Sequence, residues 1–286
     1  MLLAFIWGRL GSRVSDDIYL KVRFRLVMKR PLRLNNPLTF NEKINWLKLY
    51  NRQPFYTNLV DKAAVKSYVK SILGEEYIIP TLGVWDKFDD IDFSTMPNQF
   101  VLKSTNGGGG SGVIVCKDKI SFDKVDARKK LEKSMKTNWK IGREWVYEGV
   151  KPRIIAEKLL DSQESDLLDY KFFCFNGVVK CFKIDFDRYT NHGANYYSRN
   201  GELLPFGEVV CPPQYNKQLE IPANLDKMLI LAERLSHNQP FIRVDFYNLD
   251  KRIYFGELTF YPNSGFGPFT VEEWDYKLGS MIQLPQ

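Results

Sequence analysis

Apolar and polar positions recur along this chain with two different periods. In residues 39–50, TFNEKINWLKLY, Phe40, Ile44 and Leu47 return at three- and four-residue intervals, which predicts a helix with one apolar face. Thr39 opens it and Glu42 stands three residues on, the spacing of a capping box. Residues 59–73, LVDKAAVKSYVKSIL, predict a second helix that stops at Gly74. Short β-branched and aromatic runs follow at 76–85 (EYIIPTLGVW), 99–103 (QFVLK) and 112–117 (GVIVCK). Residues 126–139, DARKKLEKSMKTNW, predict a basic helix with a solvated face. The second half is strand-rich, with runs at 152–160, 169–185, 241–248 and 252–261 and one helical stretch at 225–238. Hairpin signals at FNG (175–177) and around residues 248–252 favour an antiparallel or mixed α+β sheet over a doubly wound one.

The chain has 286 residues, enough to bury a sizeable core, and shows neither repeats nor low-complexity tracts. Cys116, Cys174, Cys181 and Cys211 have no CxxC spacing, so a reducing compartment is expected, without a disulfide framework or a zinc site. The opening MLLAFIW is too short for a membrane span and lacks a small-residue cleavage site, so the chain is expected to stay in the cytoplasm. Within residues 1–33, Arg9, Arg13, Lys21, Arg23, Arg25, Lys29, Arg30 and Arg33 stand against Asp16 and Asp17, which places +6 of the net +7 there. The rest is nearly neutral, which argues against nucleic acid as a partner. A basic N-terminus suits an anionic membrane surface or a polyanionic substrate; a solvated basic helix with no partner is the plainer reading.

Five glycines crowd six positions in 100-FVLKSTNGGGGSGVIVCKDK-119, between two strand-like runs. A dinucleotide fingerprint needs a helix after the glycines and a Walker A loop needs GK[ST]; neither is present. A glycine hairpin with Lys103 on the incoming strand can instead cradle phosphates through main-chain N–H groups, which predicts ATP. A mobile surface hairpin is the alternative. In 242–260, IRVDFYNLDKRIYFGELTF, alternation puts Arg243 and Asp245 on one strand face, and Glu257 and Thr259 on one face of the partner strand. Two carboxylates brought together this way call for a cation; hard oxygen ligands suit Mg²⁺ carried with nucleotide phosphates, and an Arg–Glu salt bridge is the alternative. Residues 154–160, IIAEKLL, form an apolar strand whose main chain at Glu157 can meet an adenine edge.

This order of motifs resembles the ATP-grasp superfamily, and the wording of 36–50 (NPLTFNEKINWLKLY), 59–65 (LVDKAAV), 77–86 (YIIPTLGVWD), 100–104 (FVLKS), 142–152 (GREWVYEGVKP), 169–177 (DYKFFCFNG) and 255–262 (FGELTFYP) resembles its TupA-like branch. The resemblance implies two α+β subdomains clasping ATP, with a smaller helical N-terminal region: 1–75 basic and helical, 76–153 the lid subdomain with the glycine hairpin, and 154–286 the C-terminal subdomain with magnesium-binding strands. It implies Lys103 on the α/β phosphates and Gly107, Gly108, Gly109, Gly110, Ser111 and Gly112 as the closing loop. Glu157 with the main chain of Lys158 and Leu159 would hold adenine, and Asp161 or Glu164 the ribose. Asp245 and Glu257 would ligate Mg²⁺, Arg243 would face the γ-phosphate, and Lys171 would reach the terminal phosphate or serve as a cross-strand group. Where the superfamily has a metal-ligating asparagine, Thr259 stands, with Asn263 beyond it.

The implied reaction joins a carboxylic acid to an amine through an acyl phosphate, and needs little side-chain acid–base chemistry. His192 and His237 therefore read as ordinary surface or core residues, with no constellation around them in the sequence. The branch implies bacterial surface polysaccharide synthesis, with a uronic acid or peptide carboxylate as acid and an amino acid as amine. The acceptor would face loops 188–201 and 261–269, where Tyr189, Tyr196, Tyr197 and Phe266 would stack on sugar rings. Contact with the inner face of the bacterial membrane would run through the basic N-terminus. A glycosyltransferase, a sugar kinase and a non-catalytic scaffold are the competing classes.

Overall fold

The computed structural model describes residues 14–107, 112–136, 139–160, 167–187, 190–217 and 219–285. The chain divides into two compact units built from interleaved segments: Met1–Gln53, Lys140–Trp145 and Asp166–Gln286 in the first, Pro54–Trp139 and Val146–Ser165 in the second. Consecutive segments at 1–75, 76–153 and 154–286 do not describe this division, because the strand at 154–158 pairs within the sheet of the second unit and the helix at 40–50 belongs to the first. Every strand pairing is antiparallel, giving the α+β class that the hairpin signals indicate.

The second unit carries β1 (Thr81–Trp85), β2 (Phe100–Ser104), β3 (Val113–Cys116) and β4 (Ile154–Lys158) in the order β1-β4-β2-β3. Pro80, which has no N–H to give a ladder, confines β1 to the end of the predicted run. Phe100, Leu102, Cys116, Ile154 and Ala156 line the apolar face, against Phe88, Ile91, Ala127 and Leu131. The last two come from α5 (Lys124–Met135), whose remaining surface is the solvated basic face read in the sequence. The expected helix at 59–73 is broken into α3 (Tyr56–Val60) and α4 (Val65–Ile72). Asp61 is extended there, and its carboxylate accepts from the N–H groups of Ala63 and Ala64 at 2.8 and 3.1 Å, which starts α4 afresh.

The first unit holds β5 (Asp169–Phe175), β6 (Val178–Phe186), β7 (Gly193–Ser198), β8 (Phe241–Leu249) and β9 (Arg252–Thr259) in the order β7-β6-β5-β8-β9. Asn176 and Gly177 close the β5–β6 hairpin at φ 50° and 81°, the left-handed pair that a two-residue hairpin turn requires. Phe172, Cys174, Val244 and Phe246 line one sheet face, beneath α6 (Leu225–Leu235), whose Met228, Leu229 and Ala232 are buried. Burial pushes the Cys174 thiol up to about 12, and all four cysteines are buried as free thiols.

The other face of this sheet is divided. Its aromatic end gathers Phe173, Phe175 and Phe241 around Phe40 of α2 (Phe40–Tyr50), with ring centroids 4.9 to 6.4 Å apart. The capping box at Thr39 and Glu42 is formed: Thr39 N donates to Glu42 Oε2 at 3.0 Å and Glu42 N to Thr39 Oγ1 at 3.3 Å. Alpha-helix α2 also buries polar residues, which tie down loops of the same unit. Asn41 Nδ2 donates to Gly267 O and to Asp275 Oδ1, both at 3.0 Å, and Asn45 Nδ2 donates to Gly265 O at 2.7 Å. Lys48 Nζ donates to Gly142 O, Ser264 O and Asn45 Oδ1 at 2.8, 2.6 and 3.3 Å. On α1 (Asp16–Met28), Lys21 and Arg25 are exposed, whereas Arg23 lies over the Phe266 ring at 4.6 Å. Arg30 pairs with buried Asp275, so part of the N-terminal charge serves packing. Arg9 and Arg13 lie outside the described residues. Among those residues no helix is long and apolar enough to cross a membrane.

Two outcomes follow. Asp250 and Lys251 close the β8–β9 hairpin at φ 50° and 63° without glycine, so Lys251→Gly is expected to raise stability in urea unfolding by about 0.5–1 kcal/mol. Burial pushes the Lys48 amine from 10.5 down to about 7. Between those values the unfolded chain keeps a proton that the folded chain has released, so stability rises with pH across this window by about 1.4 kcal/mol per unit from this group. Urea unfolding at successive pH values should show that component in the native protein and not in Lys48→Met.

Candidate functional site

The second unit contributes a charged cluster on the sheet face away from its apolar core. Lys103 of β2 and Glu157 of β4 lie on neighbouring strands, Val101 pairing with Glu157 and Lys103 with Ile155, so both side chains emerge on one face. Lys103 Nζ lies 2.5 Å from Glu157 Oε2, and Lys66 of α4 pairs with Glu157 Oε1. Burial works to raise the Glu157 carboxyl, but Lys103 and then Lys66 outweigh it and hold it below the usual carboxylate range. Two ammonium groups against one carboxylate leave one positive charge over, which suits a phosphate. Glu157 is thus 5% exposed beneath two lysines, and the Lys158 N–H is taken by Pro80 O at 3.0 Å. Leu159 is half-buried just beyond β4.

Gly107 and Gly112 mark the base of the glycine loop, and packing explains both. The Ser104 and Ser134 hydroxyls hydrogen-bond at 2.6 Å directly against them, and a Cβ on either glycine would collide with those oxygens. Lys62 fastens the same base, donating its main-chain N–H to Thr105 O at 3.1 Å and its ammonium to Gly107 O. Gly108, Gly109, Gly110, Ser111, Asp161 and Glu164 lie outside the described residues.

In the first unit the strand registers align one row of side chains across all five strands: Tyr196, Lys183, Lys171, Asp245 and Glu257. Lys171 Nζ lies 2.6 Å from both Asp169 Oδ2 and Asp245 Oδ2. Arg243 donates Nε to Asp245 Oδ1 and Nη2 to Asp245 Oδ2, each at 2.7 Å, and Nη2 reaches Glu257 Oε1 and Thr259 Oγ1 at 3.0 Å. Burial disfavours the Arg243 charge, yet Asp245 and then Glu257 raise its pKa well above the ordinary value. Asp245 is 1% exposed, while the Glu257 side chain is 36% exposed and forms the open end of the row. At the opposite end Lys183 Nζ donates to Glu208 Oε2 at 3.0 Å and stands 3.5 Å from Asp185 Oδ1. Tyr196 Oη donates to Glu208 Oε1 at 2.7 Å, and His192 Nε2 lies 3.5 Å from Asp185 Oδ2.

The structure therefore brings Arg243, Asp245, Glu257 and Thr259 together as their alternation predicts, and gives Lys171 the cross-strand role, its ammonium engaged by two buried carboxylates. Thr259 touches Glu257 at 3.2 Å, whereas Asn263 is exposed in a left-handed turn with its amide against Gly267. Tyr196, Tyr197 and Phe266 are buried at 0%, 5% and 6% exposure, so they pack in the core and do not stack on sugars; Tyr189 lies outside the described residues. Sequence reading missed Lys66, Lys183, Asp169, Asp185 and Glu208. Charges at every second position of the aromatic strands, 169 and 171 or 183 and 185, were the available signal for Asp169, Lys183 and Asp185; Lys66 and Glu208 come from other elements and had none.

The donor set fits a magnesium ion arriving with phosphates. Asp169, Asp185, Glu208, Asp245 and Glu257 face Lys171, Lys183 and Arg243, an excess of two negative charges among the described residues. Oxygen is the only donor atom that Asp245, Glu257 and Thr259 offer, as a hard cation prefers. Among the described residues no three His, Cys, Asp or Glu side chains gather as a metal cluster, so further ligands would come from phosphate and water.

Among solved structures, the chain is similar to D-alanine–D-alanine ligase from Helicobacter pylori at 14% identity, covering 87% of this chain and 68% of that one, with a TM-score of 0.48. It is similar to an L-amino acid ligase from Bacillus licheniformis at 16% identity, covering 88% and 56%, with a TM-score of 0.47. A third similarity, to biotin carboxylase from Campylobacter jejuni, is at 15% identity, covering 94% and 54%, with a TM-score of 0.40. The chain thus spans about half the length of the last two. No curated protein matches it. The sequence profile of the TupA-like ATP-grasp family does match, over residues 42–283, and the chain accordingly belongs to that family.

Proposed function

We propose that this protein uses Mg-ATP to join the carboxylate of a uronic acid, or of a peptide, to the amine of an amino acid, and that the acid belongs to a bacterial surface polysaccharide or its precursor. The observation that carries this reading is the charged row across the five-stranded sheet together with Asp169, Asp185 and Glu208 beside it, an excess of two negative charges around a fixed arginine. Family membership supports the ligase class, and the exposed Lys21 and Arg25 support an anionic acceptor.

In this reading Asp245, Glu257 and Thr259 hold the magnesium, which offsets the charge of the phosphates when bound. Arg243 faces the transferring phosphoryl group, already oriented by two hydrogen bonds to Asp245. Burial raises the Asp245 carboxyl; Arg243 and then Lys171 work against that rise, and Lys171 also holds the group in place. Lys103 and Lys66 receive phosphate oxygens with the positive charge that Glu157 leaves uncancelled. Gly107 and Gly112, packed against the Ser104–Ser134 contact, mark the base of the loop that this reading assigns to the phosphates. The substrate carboxylate attacks the γ-phosphorus, ADP leaves, and the resulting acyl phosphate loses phosphate to the amine.

Two measurements check this. Mg-ATP at 100 times its Kd should stabilise the protein by about 2.7 kcal/mol in thermal unfolding. Lys103→Ala and Glu257→Gln should each lose at least half of that shift while unfolding cooperatively; an unchanged shift in both would remove the nucleotide assignment. With Mg-ATP, D-glucuronic acid and hydroxylamine, the protein should release phosphate and form a hydroxamate, and Asp245→Asn should lower that rate by about 10²-fold or more. A phosphorylated sugar in place of the hydroxamate would identify a kinase.

A further inference from the structure

The row of charges explains activation of a carboxylate, yet the second half of a ligase reaction has its own requirement. An amino acid reaches neutral solution as an ammonium, whose nitrogen has no lone pair to form a bond. One proton must leave before the C–N bond can form. The charged groups of the row are poorly suited to take it. Lys171, Lys183 and Arg243 are cations held by carboxylates, and Asp169, Asp245 and Glu208 accept hydrogen bonds from those cations.

His192 is different. It sits at the turn into β7, one residue before Gly193, and belongs to the same unit as the row. Its side chain is 40% exposed, so solute can reach the imidazole, and its Nε2 faces the Asp185 carboxylate at 3.5 Å. The Asp185 side chain is 6% exposed, and its other oxygen stands 3.5 Å from Lys183, which Glu208 holds at 3.0 Å. Asp185 also pairs in register with Asp169, which contacts Lys171 at 2.6 Å, so the carboxylate facing His192 is continuous with the row that contains Asp245. Burial works to raise the Asp185 carboxyl, but Lys183 first, and His192 with it, outweigh that and keep it ionised. The turn itself is fixed: Gln214 Nε2 donates to Asn191 O at 3.0 Å, and Gly193 is wedged against the Phe186 ring. An ionised, buried carboxylate behind an accessible imidazole is the arrangement that orients a histidine base and stabilises its protonated form.

The geometry points to His192 as the general base that deprotonates the incoming amine, with Asp185 as its positioning residue; this rests on the ligase reading above. Nε2 is turned to Asp185, so Nδ1 takes one proton from the ammonium. The freed lone pair forms the C–N bond at the acyl carbon while the C–O bond to phosphate breaks, its electron pair leaving on phosphate. The second N–H proton passes to the departing phosphate, and His192 returns its own proton to water. The other histidine, His237, is exposed just after α6, which covers the opposite sheet face. It serves as an internal control.

The test compares two nucleophiles on one acid. Hydroxylamine is uncharged at pH 7 and needs no base, whereas amino acids do. With Mg-ATP and D-glucuronic acid, His192→Gln should lower amide formation from a mixture of the twenty amino acids by about 10²-fold while hydroxamate formation falls less than threefold. Asp185→Asn should show the same selectivity and shift the pH profile of amide formation alone, and His237→Gln should change neither. Equal losses with both nucleophiles, or no loss, would overturn the assignment. If the native protein makes no hydroxamate, it is the ligase reading that fails, and His192 is then judged by NMR. The chain has two histidines, so its carbon–proton spectrum contains two imidazole groups. Adding the amino acid mixture at constant pH with Mg-ATP should shift the His192 signal and leave that of His237; movement of neither would end the proposal.

Discussion

Charges buried on a sheet must be paired, and that constraint organises the first unit of this protein. Moving one uncompensated carboxylate or ammonium from water into an apolar interior costs several kcal/mol, far more than any single hydrogen bond returns. Lys171, Lys183, Asp169, Asp185, Glu208 and Asp245 are all at most 6% exposed, so each depends on a neighbour of opposite sign at 2.6 to 3.5 Å. A register slip of one residue in any strand would turn these groups towards α6 and the apolar face, which is why the pairing is strongly specified. The row acts as a registration device for the sheet and as the chemical surface of the site.

The same logic extends to the loops around that sheet. Asn41, Asn45 and Lys48 lie on one face of α2 at helical spacing, and each donates to main-chain carbonyls of 142 or 264–267. Helix burial normally selects apolar side chains, but here a polar stripe gives irregular backbone the partners it would otherwise take from water. Ser264, left-handed at φ 55°, is held through its carbonyl by Lys48 and through its hydroxyl by Glu144. The segment directly after β9 is therefore rigid because an N-terminal helix reaches it, not because of its own sequence.

Much of the architecture was legible from local chemistry. Thr39 and Glu42 announce the start of α2, Asn176-Gly177 a hairpin, and the alternation of Arg243, Asp245, Glu257 and Thr259 a shared strand face. These rules are local because capping, turn geometry and pleat act within four residues. The break at Asp61 was missed because a carboxylate cap inside a helical pattern looks like any solvated acid. The ion pairs of Glu157 were not legible for a related reason: they depend on Lys66, which arrives from another element. Nor were the contacts of Gly107 and Gly112 legible, because Ser104 and Ser134 meet beside them only in the fold.

By itself the sequence determined the α+β class, the strand alternation that pairs Asp245 with Glu257, and, through long stretches of characteristic wording, the family. Only the tertiary structure decided how the chain interleaves into two units, which lysines share Glu157, and that Tyr196, Lys183, Lys171, Asp245 and Glu257 form one row. It also supplied His192 with a buried carboxylate. The physical reason is one of range. Propensity and periodicity act over a few residues, whereas ion pairing and burial depend on which strands become neighbours, and β5 and β8 meet across a connection that no local pattern encodes.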